Sequence, residues 1–176
     1  MLARTLAALA ALLPLGVAPA HAGEVCTPIV LPATAQLRGA VPSFPLWVYS
    51  MLGDGTTDLG FGGPEPDDVQ IEFYVPTTGT FALGSGNEAN FATCEHCILI
   101  SEDLDENVGN KSYFPSEGVL SIEEAPGPQE LAITLSGLRW VEVTIDPNTF
   151  VSTPVPGGAC IVQVNDAIFA NGFDDA

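Results

Sequence analysis

The chain has 176 residues, 47% of them hydrophobic, with 22 acidic residues against four Lys and Arg, for a formal charge of −18. The apolar content is too high for a disordered chain even at that charge. So acidic a surface repels nucleic acid and anionic lipid, whose binding depends on Lys and Arg neutralising phosphates, and both function classes are set aside.

Residues 1–22 read as a secretory signal peptide: Arg4 gives the positive start, Thr5 to Val17 an apolar core, and Ala20-His21-Ala22 a small-x-small cleavage site. The apolar core, at roughly 13 residues, is shorter than the ~20 that span a bilayer, so no membrane insertion is expected after cleavage. Cys26 stands four residues beyond the cut, so a lipid-modified N-terminal cysteine is not expected. Removing the leader leaves Arg38, Lys111 and Arg139 as the basic residues of a secreted or cell-surface protein. Its remaining length suits one domain with a sizeable core, placed at 23–166 and followed by a C-terminal tail at 167–176.

In chain order, Glu24 to Val41 reads as one or two edge strands, because Pro28 and Pro32 cannot donate to a ladder. Phe44 to Leu52 is apolar enough for a buried strand, and Gly53 to Asp67 is a long glycine and aspartate loop. Asp68 to Val75 alternates, with Val69, Ile71, Phe73 and Val75 on one face, as a half-buried antiparallel strand does. Thr80 to Leu83 is a short strand, and Gly84 to Asn90 a loop leading to Cys94-Glu-His-Cys97, which continues into a strand at Ile98 to Glu102. An acidic loop, Asp103 to Lys111, follows. Gly118 to Glu123 and Glu130 to Ser136 flank Pro126-Gly-Pro128 as strands. Ser136-Gly137 writes a turn or bulge before Val141, Val143 and Ile145 alternate again. Pro154 to Gly158 reads as a turn, and Cys160 to Val164 as the last strand. Roughly eight to ten strands without a sustained helical period predict an all-β fold, an antiparallel β-sandwich of jelly-roll or immunoglobulin-like type.

Cys26, Cys94, Cys97 and Cys160 make an even count in an exported chain, so two disulfides are expected, with three connectivities open. In a continuous strand, positions 94 and 97 lie roughly 10 Å apart, beyond the ~7 Å limit of a disulfide, so they bond each other only if Glu95-His96 turns. Cys-x-His-Cys also resembles the active-site tetrapeptide of disulfide isomerases, which makes an extracytoplasmic thiol–disulfide oxidoreductase the alternative function. That chemistry belongs at a helix N-terminus beside a βαβ pattern, and the surroundings here are all strand. A zinc site built from the cysteines with His96 would need reduced thiols, against the oxidising address.

Asp103, Asp105 and Asn107 follow the D-x-D-x-N start of a calcium loop, but Gly109 falls one place late and Phe114 stands where a bidentate Glu belongs. Asp54 and Asp58 are a fainter version of the same idea. The cofactor expectation is therefore none, or calcium, and a calcium-dependent adhesion or carbohydrate-binding module is the third functional reading. Trp47, Trp140, Tyr49, Tyr74 and Tyr113 form a candidate sugar-stacking set, although strand aromatics are more often core. No catalytic constellation stands out.

Two stretches carry resemblances. Gly79 to Gly86 with Asn90-Phe-Ala-Thr-Cys-Glu-His-Cys-Ile-Leu99, and Val141-Glu-Val-Thr-Ile-Asp146 with Ser152-Thr-Pro-Val-Pro-Gly-Gly-Ala-Cys160, resemble a family of uncharacterised secreted bacterial proteins. The resemblance implies an extracellular β-rich domain and no catalytic residue. Ile168-Phe-Ala-Asn-Gly-Phe-Asp174 resembles the short I-F-x-N-G-F-E tail that ends many exported bacterial proteins, a sorting signal or a last docking strand. The reading is a secreted, acidic, non-catalytic surface or binding module, its partner an extracellular ligand or cell-surface molecule.

Overall fold

The computed structural model describes residues 25–31, 35–41, 46–50, 62–63, 65–103, 111–127 and 130–169. The expected signal peptide, Asp54, Asp58, Asp105, Asn107 and all but the first three residues of the tail lie outside them. The fold is all-β. Its strands are β1 (Thr27–Ile29), β2 (Gln36–Val41), β3 (Leu46–Ser50), β4 (Asp68–Phe73), β5 (Gly79–Ala82), β6 (His96–Ser101), β7 (Ser112–Gly127), β8 (Glu130–Ile145), β9 (Ser152–Pro154), β10 (Cys160–Gln163) and β11 (Ala167–Phe169). A single 3₁₀ turn, Gly86–Ala89, interrupts them among the described residues.

Hydrogen bonds join the strands into one sheet of order β1-β10-β8-β7-β6-β4-β3-β2, with β5 added to β7 and both β9 and β11 to β8. All pairs are antiparallel except β1 with β10. The N-terminal stretch read as one or two edge strands supplies both ends of this order, since β1 and β2 lie at opposite margins.

The sheet closes over one core. β3 is three strands removed from β7 along the ladder, yet the Tyr49 hydroxyl donates to the Gly127 carbonyl at 2.5 Å, at the far tip of β7. Burial pushes the Tyr49 phenol up to about 12, with the Gly127 bond opposing. Ile29 of β1, Ile71 of β4, Leu120 of β7 and Trp140 of β8 share the same apolar cluster.

The 16-residue strands β7 and β8 reach around this core by changing which face they turn to it. On β8, Leu131, Ile133 and Leu135 face the core, and then Leu138 and Trp140 do. The change from odd to even positions falls at Ser136-Gly137, where Gly137 takes φ +60°. On β7 the change runs from Tyr113 to Leu120 and Ile122 across register shifts between Pro115 and Val119. A bulge adds one residue to one strand, and since side chains alternate with period 2 it hands the core to the opposite set. The sequence break at Ser136-Gly137 is thus a bulge inside one strand, not the end of one.

The other parity of β6, β7 and β8 builds a second, smaller cluster. Cys94, Cys97, Phe114 and Val143 are buried there, flanked by Phe91, Leu99, Val141 and Ile145. The alternation of Val141, Val143 and Ile145 therefore serves this outer cluster and not the main core.

Candidate functional site

The outer cluster is covered by residues 84–95. Gly84, at φ +74°, brings this loop against β7: a Cβ there would stand 2.2 Å from the Ser116 carbonyl oxygen. The Gly86–Ala89 turn follows, and Asn90 then ties the loop to β9. Its Nδ2 donates to the Ser152 carbonyl at 2.8 Å, and its Oδ1 accepts from Ser152 N at 3.1 Å and from Ala92 N at 3.0 Å. Thr93 N and Cys94 N both donate to the Asn90 carbonyl, folding a tight turn immediately before the cysteine pair.

The chain bends again at Glu95, between the two cysteines. β6 begins at His96, so Cys94 and Cys97 are not on one extended run, and their Cα atoms lie 5.4 Å apart, joined by a disulfide. The second disulfide joins Cys26 to Cys160, Cα atoms 4.6 Å apart, where parallel β1 and β10 begin. The cysteines of the Cys94–Cys97 pair are 6% and 0% exposed.

The ring closed by this disulfide contains Glu95 and His96. His96 is 1% exposed and stacks on Phe81, ring centroids 3.8 Å apart, with Phe73 edge-on at 6.1 Å. Its Nδ1 lies 3.0 Å from Glu88 Oε1, and its backbone N–H donates to Glu88 Oε2 at 3.1 Å. Glu88 is itself buried. The histidine thus addresses a carboxylate from the 3₁₀ turn, while its Nε2 is buried without a hydrogen-bond partner. One donor atom each from Glu88, Glu95 and His96 can be chosen so that all three lie within 4.8 Å of one another. The sequence offered no sign of Glu88: it lies eight residues from His96, and only the turn at 90–94 folds it back.

A second polar group collects where β4 and β6 meet the acidic loops. Asp67 and Glu102 are buried. The Tyr113 hydroxyl donates to Glu102 Oε2, and Lys111 Nζ stands 3.6 Å from Glu102 Oε1. Burial, then the Glu102 carboxylate, raises the Tyr113 phenol well above its usual value. Asp103, the one candidate calcium ligand within the described residues, has φ +51°. Its carboxylate accepts from Gly63 N at 3.0 and 2.9 Å, and its own N donates to Asp67 Oδ1. The end of the glycine and aspartate loop, at Gly63 and Asp67, therefore lies beside the start of the acidic loop at Asp103.

The aromatic set does not assemble. Trp140, Tyr49 and Tyr113 are core residues, and Trp47 packs against the core from a partly buried position. Tyr74 is 40% exposed and donates to Glu72 Oε2. Sequence reasoning missed the exposed aromatic Phe150. It sits at the β8–β9 connection with φ +58°, 56% exposed, and leans edge-on against Phe91. Beside it a shallow groove of about 480 Å³ is lined by Thr144, Ile145, Asp146, Thr149, Val151 and Thr153.

Fold and site together define an all-β domain with two disulfides, one of them closing a buried ring around a histidine. No family model, curated protein or solved structure matches the chain.

Proposed function

We propose that this is an exported, acidic, non-catalytic β-domain that serves as a surface or binding module, with both disulfides acting as structural crosslinks. One observation carries the reading: the Cys94–Cys97 pair is bonded and buried at the start of a strand, with His96 turned to Glu88. An oxidoreductase needs the reverse. Its attacking thiolate is exposed to the substrate disulfide and is stabilised by a helix N-terminus or a nearby cation. The leader-like residues 1–22 and the crosslinks agree with an oxidising destination.

The test is a thiol count on the native exported protein, before and after mild reductant, alongside turnover of a test disulfide. Structural crosslinks give no titratable thiol and no turnover. A pair that opens under mild reductant and turns over the test disulfide establishes the oxidoreductase instead.

A calcium-dependent adhesion or carbohydrate module is the second reading, favoured by the meeting of Gly63, Asp67, Glu102 and Asp103 at the mouth of both acidic loops. It calls for a melting temperature that rises with millimolar Ca²⁺, because a ligand that binds only the folded state stabilises it. An unchanged melting temperature removes it.

A further inference from the structure

We propose that Glu88, Glu95 and His96 form a binding site for a divalent transition-metal ion of the zinc type, held in shape by the Cys94–Cys97 disulfide. Three observations lead there. First, the donor set mixes one imidazole with two carboxylates, and its donor atoms lie within 4.8 Å of one another. Zinc takes His nitrogen and Glu oxygen together at about 2.0–2.2 Å, whereas calcium and magnesium favour all-oxygen shells.

Second, no described Lys or Arg is paired with these carboxylates. The buried Glu88 carboxylate bonds only His96 among the described residues, and the Glu95 side chain makes no hydrogen bond or ion pair with any described residue. The described ammonium of Lys111 is engaged with Glu102 at the other polar group. Two carboxylates converging on one imidazole leave negative charge that a dication neutralises.

Third, the imidazole is held in place against the carboxylate. His96 is buried, stacked on Phe81, and bonded through Nδ1, while Nε2 has no partner. A neutral imidazole that donates to this carboxylate carries its proton on Nδ1. The ion takes the place of that proton between Nδ1 and Glu88 Oε1, and the proton passes to Nε2. The crosslink acts on two of the three ligands, since Glu95 and His96 are the residues it encloses.

The test uses the full chain, stripped with a chelator and titrated with Zn²⁺ by calorimetry, with the His96 ring signals followed by NMR. One site of about micromolar affinity is expected, shifting the His96 ring resonances as it fills. Glu95→Gln, a partly exposed position outside the sheet, should weaken it at least tenfold, as loss of a ligand does. Glu124→Gln, on the exposed side of β7, should leave it unchanged. Equal zinc affinity in wild type and Glu95→Gln, or filling without a shift at His96, assigns the ion to the acidic surface at large and overturns the site. Neither outcome changes the thiol count, so the two proposals fail separately.

Discussion

The two disulfides do different work, and their difference explains the molecule better than their number. Cys26–Cys160 closes a separation of 134 residues, and Cys94–Cys97 one of three. On the chain-entropy account, the first restricts the unfolded chain by about 5 kcal/mol and the second by about 2 kcal/mol. The long crosslink ties β1 to β10 where β1, only three residues long, forms the margin of the sheet. The short one adds less against unfolding, and its consequence is local: it closes a ring around Glu95 and His96, the imidazole that meets Glu88. One ties distant strands together, and the other closes a local ring.

The largest expected effect follows from the long crosslink. Cys26→Ala with Cys160→Ala should cost about 5 kcal/mol, which for a domain of this size lowers the melting temperature by about 10–20 °C. Thermal and urea melts read it, and a loss comparable to that of the short crosslink would break the contrast.

Alkaline titration comes next. The Tyr49 phenol is raised to about 12 by burial, so the folded state holds its proton more tightly than the unfolded chain does. That contribution is intact below pH 10 and is lost as the pH rises from 10 through about 12. It amounts to about 2–3 kcal/mol, and Tyr49→Phe should flatten this alkaline decline when stability is measured across that range.

Cys94→Ala with Cys97→Ala should cost about 2 kcal/mol by the same entropy account and leave the β-sheet circular dichroism in place. The smallest change is a gain. Phe150 holds φ +58°, a region that costs a side chain about 1 kcal/mol or more, so Phe150→Gly should raise stability by up to about that amount in urea melts. A loss of stability would show that its contact with Phe91 outweighs the strain.

Much of the fold was legible because period-2 alternation is a local signal. Val69, Ile71 and Phe73 face the core as the alternation requires. The joining of Glu130–Ser136 to Val141–Ile145 into one strand was not legible, because Gly137 reads equally as a turn or a bulge and only the pairing with β7 decides it. β9 was hidden in three residues next to a proline-glycine turn, whereas β11 at Ala167–Phe169 is the docking strand that was one of two readings of the tail. At the site, the sequence marked the cysteines and His96. The choice among three connectivities and the partnership with Glu88 rest on how the chain turns through 90–95, which no spacing encodes.

Non-reducing digestion of the native protein, with mass mapping of the linked peptides, bears most directly on all of this. The structure requires one crosslink between Cys26 and Cys160 and a ring within the Cys94–Cys97 peptide. A link from either of Cys94 or Cys97 to Cys26 or Cys160, or an open thiol at any of the four, would contradict it.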